Sequence, residues 1–116
     1  IRDVAPSRGL GDVYKRQFGL SAETLAAIVK VVASVGNVQR ALIYGSRAKG
    51  TFRPNSDVDI MLEGDALTIS DLSLVEERLD DLLLPWRFDV CARNRVSNEA
   101  LIKEVDKWGR VVYAKQ

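Results

Sequence analysis

Two short residue pairs are the parts of this chain best suited to chemistry. Gly45-Ser46 follows one apolar run, and Asp57 and Asp59 stand one residue apart at the start of another. A glycine–serine turn lets backbone amides approach a phosphate, and carboxylates are ligands that Mg²⁺ prefers. The order of Gly-Ser, ten residues and Asp-x-Asp is more specific than either pair alone. It predicts a metal–nucleotide site.

Strand geometry predicts how the two aspartates stand. Side chains alternate between the faces of a strand, so Asp57 and Asp59 should share one face with Met61, while the apolar residues between them face the core. The two α-carbons would be about 6.5 Å apart, and carboxylates this close raise each other's pKa unless a cation neutralises them. We therefore expect an open acidic face on this strand.

Asp89 is the candidate for a third carboxylate. It is the one acid in the apolar segment 86–93. If this segment forms a strand beside the one that carries Asp57 and Asp59, the three carboxylates can hold two Mg²⁺ ions about 3.5–4 Å apart, the two-metal arrangement for phosphoryl or nucleotidyl transfer. Asp57, Asp59 and Asp89 are therefore the predicted catalytic and metal-binding residues.

The residues after Gly45 add to the phosphate-binding character of the turn. Ser46 would begin a short helix whose free amides and dipole favour an anion. Arg47 and Lys49 would attract a polyphosphate, so the predicted nucleotide-binding set is Gly45, Ser46, Arg47 and Lys49. Each feature also has an ordinary structural interpretation, because Gly-Ser turns are common, Asp-x-Asp is often a solvated strand face, and basic residues are often surface charge.

Composition excludes several kinds of active site. The chain has no histidine, which excludes Ser-His-Asp and Cys-His hydrolases and leaves acid–base chemistry to carboxylates, Lys, Tyr or Cys. The single Cys91 excludes an intramolecular disulfide and fits a reducing cytoplasm. A net charge of +1 and 7% aromatic residues argue against direct nucleic-acid binding. No apolar run reaches the roughly 20 residues of a membrane span.

The rest of the sequence predicts the elements that must position these residues. Apolar spacing predicts three longer helices, with N-caps at Ser21, at Thr68 or Ser70, and at Ser97. Their predicted ends are Gly36-Asn37, Pro85 and Gly109. A short helix over 46–49 and strands over 38–44, 57–63, 86–93 and 111–113 complete the pattern. This alternation predicts an α/β fold with a small mixed β-sheet flanked by helices.

The first seventeen residues differ from the remainder. Residues 1–17 combine proline, glycines and scattered charges without periodicity, and they lack the apolar segment of a signal peptide. We expect them to be a disordered or non-native leader. Residues 18–116 should then form one domain.

The block GSRAKGTFRPNSDVDI resembles the signature of the DNA polymerase β-like nucleotidyltransferase superfamily. The segments FGLSAETL, LPWRFDV and GRVVYAK are similar to its smallest members, the minimal nucleotidyltransferases (MNT), and the resemblance covers residues 18–116. It implies that Gly45 and Ser46 hold a nucleoside triphosphate and that Asp57, Asp59 and Asp89 bind Mg²⁺. An acceptor hydroxyl would attack the α-phosphate of the substrate, expected to be ATP, and release pyrophosphate.

The resemblance also implies a partner. MNT proteins are commonly paired with small helical HEPN proteins, which are RNase toxins, and they act as antitoxins by transferring AMP to the toxin or simply by binding it. A nucleotidyltransferase acting on a HEPN partner and a non-catalytic antitoxin or regulatory subunit therefore both stay open. A homo-oligomer could also complete the acceptor site of so short a chain.

Overall fold

The computed structural model describes residues 16–116 as a mixed β-sheet with helices on both faces. The strands are β1 (Arg16–Gln17), β2 (Leu20–Ser21), β3 (Arg40–Tyr44), β4 (Val58–Glu63), β5 (Phe88–Ala92) and β6 (Arg110–Ala114). The helices are α1 (Ala22–Ala33), α2 (Ser46–Lys49), α3 (Ile69–Asp80) and α4 (Glu99–Trp108), with a 3₁₀ turn over Arg93–Arg95.

The main sheet has the strand order β5-β4-β3-β6. Strand β3 pairs antiparallel with both β4 and β6, whereas β4 and β5 are parallel. The parallel pair needs a crossover, and α3 supplies it. The predicted fold class, a small mixed sheet flanked by helices, is confirmed.

The larger core lies between the sheet and helices α1 and α3. Val58, Ile60 and Leu62 of β4 are fully buried there, as the alternation of side chains predicts. Ser21 caps α1 by accepting a hydrogen bond from the Thr24 amide at 3.1 Å. Burial of this apolar face fixes which face of β4 is left for the aspartates.

The opposite face of the sheet carries a second core. Met61 is fully buried with Leu42, Tyr44 and Val105, the last of which belongs to α4. The expectation that Met61 lies on an open face with the aspartates is therefore wrong beyond the start of β4. Helix α4 covers this face because its own apolar stripe must be buried, while Asp57 stays exposed.

Helix ends agree with the sequence in part. Thr68 caps α3 through a reciprocal capping box with Asp71, and Gly109 ends α4. The cap of α4 is Asn98 rather than the predicted Ser97, because the Asn98 side-chain oxygen accepts hydrogen bonds from the Ala100 and Leu101 amides at 2.9 and 3.3 Å. Helices α1 and α3 end several residues before their predicted stops.

A short hairpin precedes α1. Strands β1 and β2 pair antiparallel, with Arg16 opposite Ser21. The predicted domain boundary after Gln17 falls inside this hairpin, and residues 1–15 of the predicted leader lie outside the described residues. None of the helices in residues 16–116 is long and apolar enough to cross a membrane.

Candidate active site

Strand register brings the predicted site residues to one end of the sheet. Tyr44, the last residue of β3, pairs with Asp59 on β4, and Asp59 pairs in turn with Asp89 on β5. Gly45 follows Tyr44 directly, and Asp57 directly precedes β4. The glycine–serine turn and the three aspartates therefore converge from segments that are distant in sequence.

Gly45 allows the turn to pass very close to Asp59. Its φ of 73° and ψ of −152° lie in a region essentially restricted to glycine. A Cβ at this position would overlap the Asp59 carboxylate and lie 3.1 Å from its Cγ. The first residue of the turn is thus in contact distance of the central aspartate, with Ser46 beginning the four-residue helix α2 beside it.

Asp59 carries an incompletely compensated negative charge. The pKa of Asp59 is raised to about 6, first by burial and then by the nearby carboxylates of Asp89, Asp57 and Glu104, whereas Arg47 lowers it. Within residues 16–116, none of the ion pairs involves Asp57, Asp59 or Asp89. A bound cation would relieve this repulsion.

The acidic residues fit a metal site that is completed by water and substrate better than one made of protein ligands alone. In the described part of the chain, no group of three or more His, Cys, Asp or Glu side chains is arranged to hold a metal ion by itself. Mg²⁺ commonly takes one or two protein carboxylates and completes its shell with waters and substrate phosphates. Asp57, Asp59 and Asp89 could hold such an ion together with a nucleotide.

Tyr44 and Cys91 form a chain of contacts that ends at Asp89. The Tyr44 hydroxyl donates to Cys91 Sγ at 3.8 Å, and Cys91 Sγ lies 3.9 Å from Asp89 Oδ1. Burial raises the pKa of Tyr44 and of Cys91, and the adjacent acids reinforce this effect. Both groups are therefore neutral at physiological pH and unsuited to act as the general base.

Arg47 has a position different from that expected of a phosphate ligand. Its side chain is only 2% exposed, and its guanidinium donates hydrogen bonds to the backbone oxygens of Phe18, Pro54 and Ser56. Burial lowers the pKa of Arg47, and the Asp59 carboxylate partly offsets this effect. The structure thus places Arg47 beneath the loop that joins the turn to Asp57.

Lys49 forms an ion pair with a glutamate of helix α4. Its Nζ lies 3.1 Å from Glu104 Oε1, and both side chains are about one-third exposed. Glu104 also contributes to the raised pKa of Asp59. Lys49 therefore lies at the edge of the acidic cluster, where it is accessible to an anion.

Sequence reasoning missed two residues of this region. Glu104 has no local motif, since only the packing of α4 brings it to Lys49 and Asp59. Trp86, which the sequence predicts to lie in a strand, precedes β5 and donates from Nε1 to the Pro54 oxygen at 2.8 Å. The aromatic residue before the acidic strand was the available signal for this contact.

The fold and site define a nucleotidyltransferase-like protein, and a family model agrees. Residues 26–116 match the family described as "Polymerase beta, Nucleotidyltransferase". The chain belongs to this family. No curated protein sequence is significantly similar to it.

Several solved structures with a similar fold are described as toxin–antitoxin complexes. A structure of a toxin–antitoxin with AMP-PNP gives a TM-score of 0.66 at 22% identity, covering 79% of this chain and 74% of that chain. A toxin–antitoxin MntA-HepT structure gives 0.62 at 19% identity, covering 81% and 73%. A Shewanella oneidensis structure of a tri-AMPylated HEPN toxin with MNT antitoxin gives 0.62 at 18% identity, covering 81% and 72%.

Proposed function

We propose that this chain is a Mg²⁺-dependent nucleotidyltransferase that transfers AMP from ATP to a hydroxyl group of a HEPN-type protein partner, and so acts as its antitoxin. The observation that carries the proposal is the strand register that sets Gly45 beside Asp59 and Asp59 beside Asp89. A phosphate-binding turn and a carboxylate cluster are the two halves such a reaction needs.

Each residue has a stated task in this proposal. Asp57, Asp59 and Asp89 would hold Mg²⁺, which would supply neutralisation of phosphate charge. The acceptor hydroxyl would bond to the α-phosphate of ATP, and pyrophosphate would leave. Gly45 gives the triphosphate access to the backbone, and Ser46 would donate a hydrogen bond to it. Lys49 would leave Glu104 and contact phosphate. Catalysis would come mainly from positioning and electrostatics.

The proposed partner follows from the family and its structural relatives. Similar folds occur in complexes described as toxin–antitoxin, one with AMP-PNP and one with a tri-AMPylated HEPN toxin. The carboxylates lie at an exposed end of the sheet, with Asp57 and Asp89 accessible. A folded protein could therefore present a hydroxyl to them, and localisation in the cytoplasm would fit this role.

The test is transfer of label from [α-³²P]ATP to a co-expressed HEPN-type protein. The wild-type protein with Mg²⁺ should label the partner. The double variant Asp57→Asn, Asp59→Asn should lose at least about 100-fold in rate, because a catalytic metal contributes several kcal/mol of charge stabilisation. Asp65→Asn, which removes an exposed acid just after β4, is the matched control and should retain activity.

A second assay separates catalysis from binding. The double variant should fail to protect cells that express the partner toxin, although it still co-purifies with it. Full protection by the double variant would favour a non-catalytic antitoxin. Label transfer that persists in the double variant would contradict the metal-binding assignment.

A further inference from the structure

We propose that Arg47 is a positioning residue that holds the loop between the glycine–serine turn and the aspartates, and that it does not bind phosphate. This inference rests on the proposed transfer reaction and assigns a role within the same site. It replaces the direct nucleotide contact that the sequence suggests for this arginine.

The guanidinium is surrounded by backbone oxygens. Nη1 donates to the Phe18 oxygen at 2.8 Å, while Nε and Nη2 both donate to the Ser56 oxygen at 3.2 and 2.8 Å. Nη2 also lies 3.4 Å from the Pro54 oxygen. The Ser56 carbonyl belongs to the peptide that leads into Asp57, so Arg47 directly fixes the backbone entering the first aspartate.

Aromatic contacts connect the Arg47 side chain to the segment that leads into β5. The guanidinium carbon lies 5.1 Å from the centre of the Phe52 ring and 5.2 Å from that of Trp86, within the range of cation–π attraction. Trp86 comes two residues before β5, the strand that carries Asp89. Arg47 therefore contacts the segments leading to both acidic strands.

Because Arg47 lies close to Gly45 in the chain, its contacts also affect the position of the glycine–serine turn. It is the second residue of α2 and lies two residues after Gly45. One rigid side chain thus links the phosphate-binding turn to the entries of β4 and β5. A change in this link should displace the turn relative to the carboxylates, and small displacements are costly in reactions that depend on alignment.

The chemistry of the contacts requires arginine. A planar guanidinium offers five donors in a fixed fork, whereas a lysine ammonium is a compact and strongly hydrated charge. Nearly complete burial of the side chain also leaves a lysine at this position without the water that it needs. A phosphate contact, by contrast, would tolerate lysine much better, so the two roles make opposite predictions.

Hydrogen exchange in the absence of nucleotide and partner tests the structural half of the proposal. In Arg47→Met, amides of residues 51–57 should exchange about tenfold faster or more, as expected for the loss of hydrogen bonds from a charged donor. Arg95→Met removes an exposed arginine elsewhere and should leave this loop unchanged. Unchanged exchange in folded Arg47→Met would overturn the proposal whether or not the protein is an enzyme.

Kinetics tests the functional half. Arg47→Lys and Arg47→Met should both reduce kcat for AMP transfer by about tenfold or more, while the Kd for AMP-PNP changes less than about threefold. Nearly normal transfer by Arg47→Lys, with loss only in Arg47→Met, would overturn the proposal in favour of a phosphate contact. Absence of transfer by the wild-type protein would instead refute the proposed function and leave the exchange result standing.

A milder variant keeps the proposal testable if Arg47→Met does not fold. Trp86→Phe retains an aromatic ring beside the guanidinium but removes the hydrogen bond to the Pro54 oxygen. It should accelerate exchange in residues 53–56 by a smaller factor and lower kcat with little change in the Kd for AMP-PNP. An equal increase in exchange rate throughout the protein, or a change in the Kd for AMP-PNP without a change in kcat, would contradict the role assigned to Arg47.

Discussion

At the scale of single residues, Asp59 is the carboxyl group on which burial and the neighbouring acids act together. It is partly buried, pairs with Asp89 across the parallel strands and lies against Gly45. Its pKa of about 6 is raised first by burial and then by the neighbouring acids. The protein therefore retains at this point a charge arrangement that costs stability in the absence of a cation.

This cost predicts an unusual pH dependence of stability. The pKa of Asp59 in the folded protein lies above the value of about 3.9 in an unfolded chain, so the folded state binds the proton more tightly. The free energy of unfolding should fall as pH rises from about 4 to about 6 and then stay low. Asp59→Asn should raise it by about 1–2 kcal/mol at pH 8 after allowance for solvent screening, and less at pH 4.

Urea denaturation in EDTA at pH 4 and pH 8 measures this difference. Asp65→Asn, at an exposed position after β4, serves as the control and should not change the free energy of unfolding by more than about 0.5 kcal/mol. Equal stability of wild type and Asp59→Asn at pH 8 would show that the charge of Asp59 is already compensated.

At the scale of elements, the strand β3, the turn at Gly45 and the helix α2 follow one another without a loop and together set the position of the turn. The strand ends at Tyr44 and α2 begins at Ser46, so Gly45 alone makes the turn between them, next to Asp59. Glycine is needed here for two separate reasons, its positive φ and its closeness to the carboxylate. These reasons can be separated by comparison with other glycines.

Gly45→Ala should lower the free energy of unfolding by about 1–3 kcal/mol, because backbone strain adds to the overlap with Asp59. Gly50 also has a positive φ, but its ψ of 12° lies in the left-handed helical region, which other residues adopt at lower cost. A Cβ there meets no atom within 4 Å, so Gly50→Ala should cost less on both counts. Gly36→Ala has neither problem and should be close to neutral. Thermal and urea unfolding of the three variants provide the measurement, and equal losses at Gly45 and Gly50 would contradict the close approach to Asp59.

At the scale of the whole molecule, the sheet is covered on both faces but its acidic end is exposed. Helices α1 and α3 bury one face and α4 buries the middle of the other. Stability of this fold and binding at its acidic end should therefore be coupled, because the proposed ligand-binding groups lie on or beside the central strands β3 and β4 and on the edge strand β5. A ligand that binds only the folded state must stabilise the whole domain.

Mg²⁺ and ATP together should therefore stabilise the protein against unfolding. At a free Mg²⁺–ATP concentration 100-fold above Kd, the expected gain is about 2.7 kcal/mol. ATP with EDTA should give much less, because the phosphates would meet the uncompensated carboxylates. Differential scanning fluorimetry detects the change as a rise in Tm, and the Asp57→Asn, Asp59→Asn variant should lose the dependence on Mg²⁺. Equal stabilisation with and without Mg²⁺ would argue against a metal at these aspartates.

The sequence by itself determined the elements and the candidate residue types. Local periodicity predicts the helices and strands, and the fold class and the short helix over Ser46–Lys49 are confirmed. These features depend on residues close together in the chain, so a pattern of residues is enough to predict them. The sequence joined Asp89 to Asp59 only on the condition that their strands be neighbours, and the sheet meets that condition.

Only the tertiary structure decided what covers each side chain. Alternation places Met61 on the face of the aspartates, but the packing of α4 buries it. The same packing pairs Lys49 with Glu104, and the loop before Asp57 folds over Arg47. Periodicity identifies residues that share a face, whereas burial and charge pairing depend on segments far apart in sequence. Those contacts bury Arg47, which the sequence predicts as a phosphate ligand, among backbone oxygens.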